Sequence, residues 1–253
     1  MNAQSPIVGQ AVSAAVVIPA FNEAGSVGEV VRAVRAACSY PVIVVDDAST
    51  DETRAEAADA GATVLPLAVN LGAWGATQAG MRFAKRRGHG FVVTLDADGQ
   101  HDPGDIDTLL APVRAELADV VIGACAERCS AYRRFAWRVL AATSGLRFED
   151  LTSGFRAYGP HAVKALCNWR ATFVDYQDVG VLTLLQSRGF TIADVQIPME
   201  PRRNGSSRIF SSWLVVAYYM SHTLLLGVAK RPIRHLPAAS AKALAAYETR
   251  LQQ

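Results

Sequence analysis

Apolar runs separated by polar segments recur along most of the chain, and their lengths and periods predict secondary structure. Short runs rich in valine and isoleucine are typical of strands that are buried on both faces. The predicted strands are residues 14–19, 42–45, 63–67, 91–93, 120–123 and 190–197. A further strand is expected where the polar loop 150–158 ends. Pro19 and Pro198 are predicted to end the first and the last of these strands, because proline has no amide hydrogen to donate to a neighbouring strand.

Between these strands, apolar residues recur every three or four positions, which predicts amphipathic helices. The predicted helices are residues 26–37, 70–87, 106–117 and 179–187, together with one that Ser49, Thr50 or Asp51 caps and that runs to about Ala60. Gly61 and Gly189 mark the ends of two of them. The repeated alternation of strand and helix predicts an α/β fold, with a mostly parallel sheet flanked by helices.

The C-terminal part of the chain differs in character. Residues 213–228 are almost continuously apolar, and Lys230, Arg231 and Arg234 follow them. This stretch is shorter than the roughly 20 residues that a helix needs to cross a bilayer. A helix lying in the membrane interface and a helix packed against protein, including a second copy in a homodimer, both fit the pattern, and a spanning helix stays open as a third alternative. We therefore expect a flexible tail over 1–13, a catalytic domain over 14–210 and C-terminal helices over 211–253.

Composition narrows the class of protein. Hydrophobic residues make up 51% and charged residues 19% of the chain, which is typical of a globular protein. The net charge of +2 does not predict nucleic-acid binding. The four cysteines lack the paired spacing of a zinc site and are expected to be free thiols. Residues 1–13 have no signal-peptide pattern, so a cytoplasmic location is expected.

Two carboxylates follow the predicted strand 91–93. Asp96 and Asp98 are separated by one residue, with Gly99 and Pro103 in the turn behind them. The carboxyl ends of strands in an open α/β sheet face the ligand crevice. Carboxylate oxygens there suit Mg²⁺ or Mn²⁺, which usually binds one or two carboxylates and substrate phosphates. A solvated acidic turn is the alternative interpretation of this pair.

Basic residues are concentrated in two segments. Residues 127–147 carry five arginines, which fit either a solvated helical face or a cradle for phosphate groups. Residues 202–208 form a basic loop with a glycine, of the kind that folds over an anionic ligand. No glycine-rich dinucleotide-binding or P-loop pattern accompanies the strands.

Four segments occur in a recognisable order: Val17–Glu23, Val44–Asp51, Asn70–Gly72 and Asp96–His101. Together they resemble the family 2 glycosyltransferases, which have a GT-A fold. Residues 150–158 and 202–208 resemble the polyprenyl-phosphate branch of that family, which includes dolichol-phosphate mannose synthases. The resemblance covers about residues 14–210.

The resemblance implies roles for particular residues. The implied nucleotide-binding residues are Pro19, Phe21, Glu23, Asp46, Asp47, Gly72, Asp96 and Ala97. The implied ligands of Mg²⁺ or Mn²⁺ are Asp96, Asp98 and Gln100. The residues implied to bind phosphate or the acceptor are Ser153, Gly154, Arg156, Arg202, Ser207 and Arg208. Asp150 and Asp178 are the candidates for a general base.

The implied activity is metal-dependent, inverting transfer of a sugar from a UDP- or GDP-sugar to a polyprenyl phosphate. Such an enzyme is expected at the inner face of the cytoplasmic membrane as a peripheral protein. Two alternatives stay open. In the first alternative, the acceptor is a sugar hydroxyl of a glycan or small molecule, and its attack would require a general base. In the second, the chain is a catalytically silent nucleotide-sugar-binding subunit that docks on a membrane partner.

Overall fold

A computed structural model describes residues 13–125, 153–172 and 179–199. Seven strands are present in this part of the chain. They are β1 (Ala14–Ala20), β2 (Val42–Asp46), β3 (Thr63–Pro66), β4 (Phe91–Thr94), β5 (Val120–Ala124), β6 (Arg156–Tyr158) and β7 (Ile192–Gln196). The helices are α1 (Val27–Ala37), α2 (Thr53–Asp59), α3 (Gly72–Arg86), α4 (Ile106–Arg114), α5 (Pro160–Leu166) and α6 (Val179–Ser187). Two short 3-10 helices span Pro103–Asp105 and Trp169–Ala171.

The strands form one sheet in the order β3-β2-β1-β4-β6-β5-β7. All neighbouring strands are parallel except β6, which is antiparallel to both β4 and β5. The α/β architecture and the mostly parallel sheet predicted from the sequence are therefore confirmed. Strand β6 has only three residues, too few to show a hydrophobic period. The sequence pattern therefore did not predict its direction.

The core lies in two layers, one on each face of the sheet. One layer packs α1, α2 and α4 against the sheet through residues such as Val31, Ala57 and Leu109. The other packs α3, α5 and α6 through residues such as Met81 and Val163. Because both faces are covered, β1 and β5 are built of apolar residues and glycine or proline, and every residue of β2 and β5 is buried.

Local patterns explain the helices. The spacing of the four valines of α1 places them on one helical face, and all four are buried: Val27, Val30, Val31 and Val34. Gly61 and Gly189 have positive φ angles, as expected where a helix ends. The N-cap position of α2 is occupied by Glu52, which forms no capping side-chain bond, rather than by one of the three predicted residues. Of those three, Asp51 lies just before it, and its Oδ1 accepts the amide hydrogen of Thr53, the first residue of the helix, at 3.0 Å.

Three details differ from the predictions. Pro19 lies inside β1 rather than at its end. Its missing amide costs no ladder bond, because the pairing of β1 with β4 stops at Val17 and the Ala20 carbonyl faces β2. Helix α4 ends at Arg114, since Glu116 adopts a positive φ of 56°. Helix α5, which begins with Pro160, was not predicted at all.

Candidate active site

The parallel strands β1, β2 and β4 end at the same edge of the sheet, which collects the polar side chains that follow them. Asp46 is the last residue of β2, and Asp47 follows it. Asp96 stands two residues beyond the end of β4. The predicted nucleotide-binding and metal-binding residues therefore meet at one carboxyl edge.

The loop after β1 is tied to the loop after β2. The Asn22 amide donates to Ser49 Oγ at 3.0 Å, and Asn22 Oδ1 accepts the Thr50 amide hydrogen at 2.8 Å. The Glu23 amide donates to Thr53 Oγ1 at 2.8 Å. Asn22 has a φ of 53°, a conformation that asparagine tolerates better than most residues. These bonds hold Phe21, whose side chain is exposed, at the rim of the edge.

Asp46 is a buried carboxylate that organises the second loop. Its Oδ1 accepts the Ser49 amide hydrogen at 3.0 Å, and its Oδ2 lies 3.4 Å from Nε of Arg54. Arg54 is largely exposed, so this ion pair is partly screened by solvent.

Asp47 is also buried and connects the second loop to the start of α3. Its Oδ1 accepts the Leu71 amide hydrogen at 2.7 Å, and its carbonyl oxygen accepts from Asn70 Nδ2 at 3.1 Å. Burial raises the pKa of the Asp47 carboxyl and the neighbouring Asp46 adds to this, while the amides of Leu71 and Gly72 oppose it. Gly72 has a positive φ of 73° and no atoms near its missing side chain.

The loop after β4 presents the acidic pair. The Asp96 side chain is 42% exposed, whereas Ala97 is buried between the two carboxylates. Asp98 Oδ1 accepts the Gln100 amide hydrogen at 3.2 Å, which closes the turn over Gly99. The Gln100 side chain is buried, and its Nε2 forms no hydrogen bond with the described residues.

The segment that leads into β6 packs against Asp96. Thr94 Oγ1 donates to the Gly154 carbonyl at 2.7 Å and so fixes this segment against the end of β4. A Cβ atom at Gly154 would lie 2.5 Å from Asp96 Oδ2 and closer still to Oδ1, so only glycine fits. Ser153 is buried and accepts the Phe155 amide hydrogen at 3.3 Å. Arg156 is fully buried in β6.

Three residues that the sequence did not single out belong to this edge. Asn22 and Thr94 bridge loops through side-chain hydrogen bonds, and His101 Nε2 lies 3.3 Å from Asp96 Oδ2. Thr94 directly follows the predicted strand 91–93, and Asn22 and His101 lie within the segments that carry the family resemblance, but neither observation indicated which atoms they contact. Among the predicted residues, Asp150, Asp178, Arg202, Ser207 and Arg208 lie outside the described residues.

The acidic pair suits a divalent cation that keeps other ligands. Within residues 13–125, 153–172 and 179–199, no three His, Cys, Asp or Glu side chains are grouped as a closed metal site. One or two carboxylates at an accessible edge match Mg²⁺ or Mn²⁺, which complete their coordination with water and substrate phosphates. The donor set therefore fits such an ion, with Asp96 as a partly exposed ligand.

The fold and this edge define an enzyme of the GT-A class. Glucosyl-3-phosphoglycerate synthase from Mycobacterium tuberculosis, solved in complex with Mn²⁺, UDP and phosphoglyceric acid, has the same fold. Its TM-score is 0.66 at 20% identity, over 90% of this chain and 84% of that chain. Residues 15–166 match the family model described as glycosyl transferase family 2, and the chain belongs to this family.

Two sequence relatives lie in the branch that the motifs indicated. The chain is 31% identical to a polyprenol monophosphomannose synthase of Mycolicibacterium smegmatis, over 78% of this chain and 81% of the relative. It is 33% identical to an undecaprenyl-phosphate 4-deoxy-4-formamido-L-arabinose transferase of Pseudomonas fluorescens, over 63% of this chain. The match spans 51% of that second relative, about half its length. The resemblance to the polyprenyl-phosphate branch is confirmed.

In the described parts of the chain, no helix is both long and apolar enough to span a membrane. The predicted interfacial or packing helix at 213–228 lies outside those parts.

Proposed function

We propose that this glycosyltransferase moves a sugar from a nucleotide-sugar donor to a polyprenyl phosphate, with inversion at the anomeric carbon. The observation that carries the proposal is the accessible Asp96 carboxylate, which shares one sheet edge with the loops of Asp47 and Asp98. The names of the two sequence relatives, both transferases acting on a polyprenyl carrier, support the choice of acceptor.

The donor half of the site is assigned from the described residues. Asp96 and Asp98 would hold Mg²⁺ or Mn²⁺ against the donor diphosphate, with Gln100 as a further candidate. When bound, the metal offsets the negative charge that develops on the departing nucleoside diphosphate. The contacts of Asp98 with the Gln100 amide and of Asp96 with His101 hold the two carboxylates of this loop in place, so little reorganisation is required on binding.

The base and ribose would lie between the loops that end β1 and β2. Phe21 offers an exposed ring for contact with the base, and Pro19 and Glu23 flank it. Asp47 and Gly72 line the opposite side, where the start of α3 is bonded to Asp47.

Residues after β5 form the acceptor half of the proposal. Ser153 and Gly154 pass beside Asp96 and lead into β6, whose first residue is Arg156. Arg202, Ser207 and Arg208 would contact phosphate groups. A polyprenyl phosphate is already an anionic nucleophile, so its attack needs no general base. A hydroxyl acceptor would need one, for which Asp150 and Asp178 are the candidates.

A lipid acceptor implies work at a membrane surface. We propose that residues 14–210 form the catalytic domain and that residues 211–253 bring it to the cytoplasmic face of the membrane. Cosedimentation with anionic vesicles, compared between the full chain and a chain ending at residue 210, tests this role.

The donor half is tested by Asp98→Asn with Asp102→Asn as the matched control. Asp102 belongs to the same loop but accepts the Gly104 amide hydrogen at the start of a 3-10 helix. The assay measures transfer of labelled sugar to undecaprenyl phosphate, with UDP-sugars and GDP-sugars in turn and with Mn²⁺ or Mg²⁺. We expect the rate of transfer to fall about a hundredfold or more in Asp98→Asn. Retained turnover with unchanged metal dependence in that variant would count against the proposal.

The acceptor is tested by the variants Asp150→Asn and Asp178→Asn. With a phosphate acceptor, both should retain turnover and show little change in its pH dependence. A loss of several orders of magnitude in either variant, together with labelled product in the aqueous phase, would favour a hydroxyl acceptor instead.

A further inference from the structure

His101 is a buried histidine beside the acidic pair. Its side chain is 2% exposed, and its Nε2 lies 3.3 Å from Asp96 Oδ2. The ring packs against Phe155, with 5.1 Å between the ring centroids. Its backbone pairs with Met199 in an isolated antiparallel bridge, so the main chain at His101 is also held.

The contact with Asp96 fixes which ring nitrogen carries hydrogen. An ionised carboxylate can only accept hydrogen bonds, so Nε2 of His101 must be the donor. Nδ1 of His101 is buried and forms no hydrogen bond with the described residues. Among those residues, the contact with Asp96 is therefore the polar interaction that orients the imidazole ring.

Asp96 is constrained from a second direction. The Gly154 backbone lies so close that no side chain would fit between it and the carboxylate. His101 reaches Oδ2 from the protein interior, while 42% of the Asp96 side chain stays exposed. The carboxylate therefore lies between the His101 imidazole and the Gly154 backbone, and part of its surface is exposed.

We propose that His101 is a positioning residue for Asp96. Its Nε2–H group holds the carboxylate in the orientation that binds the divalent cation. The inference rests on the proposed function, because it assigns the cation to Asp96. Carboxylates that bind metals are commonly held by hydrogen bonds of this kind, and losing such a partner typically weakens metal affinity about 10- to 100-fold.

Two substitutions separate the hydrogen bond from ring packing. His101→Phe keeps an aromatic ring against Phe155 but has no donor. His101→Gln loses the ring but places an amide nitrogen near the position of Nε2. A positioning role through Nε2–H predicts weaker cation binding in the Phe variant and near wild-type binding in the Gln variant.

The readout is Mn²⁺ affinity, measured by electron paramagnetic resonance on the full chain, alone and with UDP or GDP. His101→Phe is expected to raise the Kd for Mn²⁺ about 10- to 100-fold, and His101→Gln to restore most of that loss. Wild-type affinity in His101→Phe, or equal weakening in both variants, would overturn the positioning role. If His101→Phe does not fold, His101→Asn replaces it, because its shorter amide cannot reach Asp96.

Asp96→Asn serves as the reference for a lost ligand. A wild-type chain that binds no Mn²⁺ under any of these conditions would overturn the proposed metal site, and the role of His101 with it. That pattern differs from a normal wild-type affinity that the His101 variants leave unchanged, which would overturn the positioning role alone.

Discussion

The carboxylate of Asp47 holds the turn that begins α3, because its Oδ1 accepts the Leu71 amide hydrogen at 2.7 Å. The same side chain is a candidate nucleotide ligand. Its charge is costly in the folded state, since burial raises the pKa of the carboxyl above its ordinary value of 3.8. A single residue thus serves the fold and the site, and the two roles respond differently to substitution.

Asp47→Asn should separate these roles. The amide oxygen can still accept the Leu71 hydrogen, while the buried charge is gone. A raised pKa means that the folded wild type binds more protons than the unfolded chain above 3.8, so its stability falls as pH rises through that window. We expect urea denaturation at about pH 7 to show Asp47→Asn at least as stable as wild type, with the difference shrinking toward about pH 4.

Asp47→Ala is the control for this comparison, because it removes the acceptor as well as the charge. We expect it to lose about 1 kcal/mol relative to Asp47→Asn. Both variants should bind UDP or GDP more weakly in a thermal-shift assay. Unchanged nucleotide binding in both would exclude Asp47 from the donor pocket.

Gly154 is the second residue whose role depends on fine geometry. In Gly154→Ala, the added methyl group would overlap the Asp96 carboxylate and force it to move. A displacement of about 1 Å at a reacting site can cost about a hundredfold in rate. We therefore expect transferase activity to fall about that far, measured with saturating donor and Mn²⁺.

Gly28→Ala is the matched control for Gly154→Ala. Gly28 lies in α1, and the atom closest to an added Cβ would be the end of the exposed Arg32 side chain, at 3.4 Å. Alanine also favours a helix, so this variant should keep activity and gain about 0.5–1 kcal/mol. Full activity in Gly154→Ala would show that Asp96 tolerates displacement.

At the scale of elements, α3 is joined to the end of α5 and the segment after it through three polar side chains one turn apart. Trp74 Nε1 donates to the Ala171 carbonyl at 2.8 Å, and Gln78 Nε2 donates to the Leu166 carbonyl at 2.8 Å. Arg82 Nε donates to the Cys167 carbonyl at 3.2 Å. This polar stripe satisfies backbone groups of the segment after α5 that would otherwise be buried without partners.

Gln78→Met should therefore destabilise the protein although it preserves side-chain volume. It removes the donor to Leu166 and the acceptor that Thr172 Oγ1 uses at 3.0 Å. We expect a loss of about 1–3 kcal/mol in the free energy of unfolding, measured by urea denaturation. Arg86→Met, on the exposed last turn of α3, is the control, and its free energy of unfolding should stay within about 0.5 kcal/mol of wild type. An equally small effect in Gln78→Met would contradict the role of the polar stripe.

Elements with a strong local period were predictable from the sequence. Helix α1 shows its buried face in the spacing of its valines, and α6 matches the predicted residues 179–187. Helix α5 spans seven residues and β6 three, too few to repeat a pattern. Their positions depend on partners far along the chain, as Trp74 and Ala171 illustrate.

The site follows the same division. Asp96 and Asp98 stand out because carboxylates follow a buried strand, a relation within one short segment. His101 and Gly154 act on Asp96 through side-chain and backbone contacts that exist only after folding. Sequence spacing carries no information on those contacts.

At the scale of the whole molecule, the sheet has a protected centre and an exposed side. The residues of β2 are all buried, whereas those of β3, next to it at the edge, are exposed or half-buried. In hydrogen–deuterium exchange, peptides covering Thr63–Pro66 should exchange well before those covering Val42–Asp46, because edge strands open locally. Equal protection of both strands would indicate that another part of the molecule or a second copy covers β3.

The reversed strand β6 links the pairing of the sheet to the acidic pair. The Gly123 amide donates to the Phe155 carbonyl at 2.9 Å, so the chain leaves β5 and returns to β6 at adjoining points. Gly154 immediately precedes Phe155, so the hydrogen bond that joins β5 to β6 also sets where the Gly154 backbone meets the Asp96 carboxylate. The position of a candidate metal ligand thus depends on strand pairing as well as on its own loop.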